Sequence, residues 1–559
     1  MSDAFAHTSA AGAALLCLPL LCSLALHVPP PAQAAEANPK SRTPTTGPAT
    51  MPVLLKHKRD EADDFFDGPL PRFRIEIAPD QWEQLKRDNR KFVRATVIEM
   101  YPGRPDTAWP DIGVHLKGGP GSSRPLDNKP ALTLKFDQFT PNRRFHGLTK
   151  IHLNNSVQDP TFMHETIARE LFREAGIPAP RVTNTRVWIN GRDWGPYVLI
   201  EGFNRVFLKR FFKDDDGVIY DANFADVDQQ LRPMTPTADK KGADTRLLAA
   251  AARETDPVKR REALEKILDL DRFLSFMAVE HLIADWDGYC GNRNNTRLYF
   301  EPTAGKFVFL PHGKDQVFGD PNFPLIRDAG LLARAVTQAP EDRQRYLERV
   351  RQLRQTIFDP DKLTARVQQL TERILPLMRE IGPHAEREFL AQSAGLRARI
   401  VARARGVDRL LNLPTQYLKF DSHGIARLAG WQPHMGEQHG PGTSLDIVAE
   451  GSTRLLRIRA GNGGCVASFR TSVVLPPGRY VFEGRCRTSA VAANPGENSG
   501  AGLRISGARR PAGLAGDTPW RDCAFEFEAA DADVVLVCEL RAQKGEAYFD
   551  LESLRLRRK

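Results

Sequence analysis

The 559-residue chain reads as α+β, with a mixed body followed by an all-β sandwich of jelly-roll type. Three observations predict this. From about residue 70 to 412, short alternating strand patterns are interleaved with amphipathic helical ones. Within that stretch, 330–412 is heavy in Leu, Arg and Glu and poor in Gly, as a helical bundle would be. After Pro414 the pattern changes to short β-rich runs separated by Pro-Pro-Gly and Gly-Asn-Gly-Gly turns. The length suits two or three domains.

The N-terminus carries an apolar run from Ala11 to Val28, followed by Ala32-Gln33-Ala34. This is the pattern of a secretory signal peptide over 1–34, with the mature chain beginning near Ala35, although the first residues lack Lys or Arg. Pro19 and Pro29 to Pro31 argue against a stable membrane span. The Pro-, Thr- and Lys-rich segment 35–69 is expected to be a disordered linker. Order is expected to start at Phe73–Ile77, an alternating strand, followed by a short helix from Pro79. Strands are expected at Val93–Ile98, Ile112–Lys117 and Ala131–Phe136.

A helix is predicted from about Thr161 to Ala175, with Phe162, Ile167, Leu171 and Phe172 on its apolar face and Gly176 as its stop. Val187–Ile189 and Tyr197–Glu201 form a hairpin pair around the Asn190-Gly191 turn signal. Helical pattern covers 243–285, and strands cover Thr296–Phe300 and Lys306–Leu310. The expected organisation is a body over 70–412 and a β-sandwich over 418–559.

With 41% hydrophobic and 26% charged residues the chain is an ordinary globular one. A net charge of +10 suits anionic partners such as phosphates or nucleotides, or simply a solvated basic surface. No nucleic-acid partner is indicated. Cys17 and Cys22 leave with the signal. Cys290, Cys465, Cys486, Cys523 and Cys538 remain and show no CxxC spacing, so a structural zinc site is not expected, and buried thiols and disulfides stay open alternatives.

The densest polar segment is Asp285–Asn295, between an apolar helix and a strand. Polar loops on such rigid bases commonly hold catalytic groups. Downstream, the apolar run Phe307–Leu310 delivers Asp315 just past its end, where a carboxylate can hold Mg²⁺ through oxygen. An Asp and an Asn from the first loop would complete the set phosphoryl transfer uses. The competing reading is that such residues cap helices and form turns. Gly118–Gly121 lacks the Lys-Ser/Thr ending of a P-loop and reads as a mobile turn. His281 and His312 show no metal-ligand spacing.

Residues about 70–410 resemble the CotH (spore-coat protein H) kinase-like family. The matching stretches, in family order, are Val114–Gly119, Lys129–Phe136, Leu153–Ser156, Asp159–Met163, Ala175–Pro180 and Gly195–Glu201, then the two loops above. The resemblance implies an atypical protein-kinase-like body. It implies Asp287 as catalytic aspartate, Asn295 and Asp315 as metal ligands, Lys129 or Lys135 as the nucleotide-phosphate lysine, and Glu165 or Glu170 as its ion-pair partner. ATP and Mg²⁺ (or Mn²⁺) are the implied cofactors, and a Ser/Thr-type hydroxyl on an exported or envelope protein is the implied acceptor. The expected location is secreted, periplasmic or cell-envelope. One departure is Gly313, where the family carries an aspartate; the residues around Asn295 depart too, at Asn294, Thr296 and Arg297. The alternative is a non-catalytic envelope scaffold or adhesion protein. Its C-terminal domain, loosely similar to galactose-binding jelly rolls, would bind carbohydrate or protein, with Trp431 and Trp520 serving as sugar platforms or as core aromatics.

Overall fold

The computed structural model describes residues 51–55, 58–234, 243–412, 415–494, 498–529 and 533–559. The expected signal peptide lies outside the described residues. Seven strands close into a barrel: β1 Arg72–Glu76, β2 Val93–Met100, β3 Thr107–Leu116, β4 Leu132–Lys135, β5 Lys150–Asn154, β6 Val182–Ile189 and β7 Arg192–Glu201. Their order is β1-β2-β3-β4-β5-β7-β6, closed by parallel pairing of β6 with β1. Closure leaves no exposed sheet edge. Alternate residues such as Phe73, Ile75, Val97, Val114, Leu134 and Leu153 point inward and fill the lumen.

Order begins earlier than the sequence suggested. Helix α1, Glu61–Asp67, falls inside the stretch expected to be disordered. A capping box between Asp60 and Asp63 starts it. Phe65 and Phe66 bury its inner face, and Arg181 bridges both aspartates at 2.6 and 2.9 Å. Packing, not intrinsic propensity, sustains so short a helix.

Helix α2, Pro79–Arg87, lies against β2. Asn190 and Gly191 turn β6 into β7 with φ of 46° and 78°, as a two-residue hairpin turn needs. The Asn190 amide also accepts from Ile77 N (2.8 Å) and donates to Ile77 O (3.0 Å), which fixes the turn on the end of β1.

Helix α3, His164–Glu174, starts on the Asp159 carboxylate, which accepts from Thr161 N and His164 N, both at 2.9 Å. Gly176 ends it at φ +80°, where a Cβ would lie 2.0 Å from Pro52 O. Beyond the barrel come α4 Arg205–Lys209 and a four-stranded sheet in the order β11-β10-β8-β9, made of β8 Ile219–Asp221, β9 Arg232–Pro233, β10 Thr296–Glu301 and β11 Lys306–Pro311. Helices α5 Arg246–Ala252, α6 Pro257–Ile267, α7 Leu270–Leu282 and α8 Tyr289–Asn292 bracket it in sequence, and the long helices Pro340–Thr356, Pro360–Ile381 and Pro383–Leu411 share its core.

From Thr415 onward the described residues are rich in sheet. Eleven strands join in one hydrogen-bonded network, beginning slightly before the expected boundary. The centre is the long strand Asp533–Asp550. Its first half pairs with Cys465–Val474 and Gly500–Ile505, and its second half with Thr453–Ala460 and Gly478–Ala493. Trp431 is buried and stacks on Phe482 at 6.0 Å, so it serves the core. Trp520 is exposed, with Arg487 over its ring at 5.2 Å. The five cysteines are unbridged, four of them buried. The described residues pack as one unit, with Arg343 of the helical part paired to Asp533 of the sheet.

Candidate active site

Helix α7 is rich in apolar residues and buried along most of its length. It delivers Glu280 into the interior and then the polar loop 285–295. The Glu280 carboxylate accepts from Tyr289 N (3.0 Å) and Cys290 N (2.9 Å), which anchors the loop to the helix. Gly288 is required there, since a Cβ would lie 2.3 Å from Glu280 Oε1. Lys314, fully buried, donates to Glu280 at 3.0 Å and pairs with Asp285. Burial opposes the Lys314 charge, but Asp285 and Glu280 more than offset this and raise its pKa. Burial raises the Asp285 carboxyl to about 7 against the pull of Lys314. This ionic knot ties loop 285–295 to the segment after β11.

Asp287 is half-buried at the loop's rim. Its carboxylate accepts from the amides of Asn292 (2.7 Å), Asn294 (3.1 Å) and Asn295 (2.8 Å). The Asn295 amide nitrogen is thereby spent on Asp287, and its Oδ1 faces Gly313. A Cβ on Gly313, whose φ is +56°, would lie 2.4 Å from that oxygen. The glycine at 313 therefore makes room for the Asn295 amide.

Asp315 is buried on the other side. His164 Nδ1 bonds to its backbone carbonyl at 2.7 Å, and Arg169 reaches Pro311 O at 3.2 Å, so α3 is docked on the end of β11. Burial raises the Asp315 carboxyl to about 6, and Glu165 adds to the rise. Glu165 is itself buried, with Oε2 on Arg169 at 2.8 Å and Oε1 without a hydrogen-bond partner.

Asp287, Asn295, Asp315 and Lys135 line one cleft of about 830 Å³. Lys117, Lys150, Arg297 and three histidines share its walls. Burial holds His152 and His312 well below the usual imidazole range, and His115 is lowered too, so the histidines line the cleft as neutral rings. Residues Gly118–Ser122 form one lip. They are pinned rather than loose: Arg90 donates to Gly118 O (2.7 Å), Ser123 N to Gly119 O (2.9 Å) and Asn155 to Ser122 O (3.0 Å).

Of the remaining expected residues, Lys129 and Glu170 lie outside the cleft lining, while Lys135 is in it. Lys129 sits over Phe162 and Tyr197 at 5.3 and 5.4 Å, away from the cleft lining, with burial lowering it to about 8. Glu170 is held by Arg366 at 2.7 and 3.0 Å. Lys135 bonds to Gln138 at 2.9 Å.

The residue the sequence reading passed over is Lys117, at the end of β3. Burial lowers its pKa, and the charges that oppose this are first Glu165 and then Asp315. It makes no ion pair of its own among the described residues. Its position before two glycines, where a strand end meets a close-lying backbone, was the available signal.

Residues 114–383 match the CotH kinase protein family. The chain is 22% identical over 262 residues to the inner spore coat protein H of Bacillus subtilis (strain 168), covering 43% of this chain and 72% of that one. Residues 114–383 form a CotH-family region. It is also 25% identical over 280 residues to Invasin CotH2 of Rhizopus delemar, covering 44% of this chain and 46% of the invasin. The matched region thus spans under half the length of the invasins. All the cleft residues named above except Arg90 fall within the CotH match. Among solved structures, one titled "CBM4 structure and function" matches 23% of the chain at 14% identity and a TM-score of 0.18. A structure of TmCBM61 in complex with β-1,4-galactotriose matches 24% at 12% identity and the same TM-score. Likenesses that slight carry no weight for this chain. No helix among the described residues is long and apolar enough to cross a membrane.

Proposed function

We propose that this CotH protein is an ATP- and Mg²⁺-dependent phosphotransferase, with an atypical kinase-like body, acting on a Ser/Thr-type hydroxyl of an exported or envelope protein. The observation that carries the reading is the meeting of Asp287, Asn295 and Asp315 in one basic cleft, from loops held together by the buried knot of Lys314.

The donor set suits Mg²⁺, a hard cation that takes oxygen ligands. Asp315 offers a carboxylate that no described side chain hydrogen-bonds. The Asn295 amide is turned so that Oδ1 is its free end. Glu165 Oε1 is an orphaned buried oxygen close by. Glu165 keeps one oxygen on Arg169, so the Asp315 carboxylate and the free Glu165 oxygen are what remain for a cation. Bound Mg²⁺-ATP would supply the transferable phosphoryl group and neutralise its charge. Lys117, in the field of Glu165 and Asp315, would hold nucleotide phosphate; this gives the role to Lys117 in place of Lys129 or Lys135. Asp287, kept in place by three amides, would accept the proton of the substrate hydroxyl at a carboxylate oxygen. Gly313 keeps Asn295 in reach of the metal position.

The observation that favours the scaffold reading is the same triple amide contact, which satisfies Asp287 as a structural residue would be satisfied. The exposed Trp520 between arginines would then be a contact point for a carbohydrate or protein partner. Incubating the purified full chain with ATP and Mg²⁺ or Mn²⁺ decides between the two. Turnover that disappears in Asp287→Ala and Asp315→Ala supports the phosphotransferase. No ATP binding by the parent protein retires it and leaves the scaffold.

A further inference from the structure

A second cavity, of about 690 Å³, opens beside the cleft. The two share Lys135 and Lys150 as lining residues, so they adjoin along the β4–β5 pair. These lysines are directly opposite each other in the antiparallel register. Like charges so placed repel. Lys150 is brought in close because residue 202 is glycine: a Cβ there would lie 2.6 Å from Lys150 Cε.

The charge around this cavity is one-sided. Arg205 is spent on Asp215 and Asp216, and Arg210 on Glu201. Of the two lining carboxylates, Asp60 is spent on the cap of α1 and on Arg181, and Asp137 lies 3.8 Å from Lys135. Lys58, Arg144, Lys150 and Lys209 remain, and none of them makes an ion pair with a described residue. Four uncompensated cations around one pocket raise the local concentration of anions. Burial, helped by Lys135, also lowers Lys150 to about 8, so its charge is held at a cost that a neighbouring anion would relieve.

We infer that this cavity is a subsite for an acidic segment of the substrate polypeptide, whose carboxylate or phosphate side chains sit among Lys58, Arg144, Lys150 and Lys209 while the acceptor hydroxyl reaches into the adjoining cleft. The inference rests on the phosphotransferase reading for the hydroxyl, but the acidic recognition is a binding property of its own and is measured without ATP.

The test uses the full chain and fluorescent peptides carrying one serine flanked by glutamates, by glutamines, or by phosphoserines, with anisotropy as readout. The expected result is that the glutamate or phosphoserine peptide binds at least about tenfold tighter than the glutamine one, as several ion pairs of modest strength would give. Whichever of the two binds tighter identifies the anion. The surface double variant Arg144→Glu/Lys209→Glu should remove the preference while melting temperature and ATP affinity stay at the parent values. Gly202→Ala, which displaces the Lys150 side chain, should weaken acidic-peptide binding by itself. Equal binding of all three peptides overturns the inference, and so does acidic binding that survives the double charge reversal. ATP turnover without acidic preference removes the subsite and leaves the phosphotransferase. Acidic binding without ATP turnover leaves the subsite and removes the phosphotransferase.

Discussion

Consecutive residues Lys314 and Asp315 belong to two clusters of like composition and opposite state. Lys314 meets Glu280 and Asp285 in a fully closed knot, with every charge paired and loop amides filling the remaining valences. Asp315 lies in the field of Lys117 and Glu165, where Arg169 takes one Glu165 oxygen, the other has no hydrogen-bond partner, and neither Asp315 nor Lys117 closes an ion pair among the described residues. The first cluster holds one lysine and two carboxylates; the second has the same three charges with Arg169 added on Glu165. Buried charges left open in this way are costly, so the fold tolerates the second cluster only where something else completes it. The first cluster makes structure, and the second is where we propose the site.

The sharpest way to break that contrast is to cut each cluster in turn. Asp315→Ala should abolish Mg²⁺-dependent ATP turnover and leave the melting temperature near the parent value, because no side-chain contact is lost. Lys314→Met should do the reverse to stability, costing about 3–5 kcal/mol by stranding two buried carboxylates. Chemical denaturation measures it. If Asp315→Ala unfolds the protein and Lys314→Met does not, the assignment of the two clusters is inverted.

Next in size is Asp287→Asn, expected to lower turnover by about 10²–10⁴ with ATP affinity kept, as for a general base. Equal loss of ATP affinity would make Asp287 a binding group instead. Gly313→Asp should push Asn295 off its position and weaken Mg²⁺ binding, although it restores the family's acidic residue. Titration calorimetry reads this, and tighter Mg²⁺ binding by the variant would show that Asn295 is dispensable.

These outcomes bear on how much was legible beforehand. Asp315 and the polar loop Asp285–Asn295 stood out because loop composition after an apolar helix or strand is a local signal, whereas the choice of Asp287 and Asn295 within that loop came from the resemblance to the CotH family. The Asn190-Gly191 hairpin and the Gly176 stop were visible for the same reason. The choice between Lys129 and Lys135, or Glu165 and Glu170, was not. It depends on which side of β4 or α3 faces the cleft, and Glu170 faces Arg366 because Pro360–Ile381 packs there. Lys117 escaped notice because the charges that act on it, Glu165 on α3 and Asp315 after β11, are far off in sequence. Helix α1 was missed because tertiary burial of two phenylalanines, not helix propensity, holds it. The closed barrel needs the β1–β6 parallel pair, which no neighbouring turn announces.

A smaller effect follows from acidity. Burial raises Asp315 to about 6, so a proton occupies it increasingly as pH falls through 6. Mg²⁺ binds only the ionised form. Apparent Mg²⁺ affinity should therefore be steady above about pH 7 and decline below 6, and Asp315→Asn should flatten the profile. The least effect is expected of Lys129→Met, which should keep turnover because its ammonium rests on Phe162 and Tyr197 outside the cleft.

The most direct measurement is calorimetric titration of Mg²⁺-ATP into the parent protein, Asp315→Asn and Lys117→Met, with melting temperatures taken alongside. Binding by the parent that disappears in both variants, with all three melting together, is the expected result. A parent that binds no Mg²⁺-ATP, or variants that bind as tightly as the parent, would contradict the claim that the open cluster is the nucleotide and metal site.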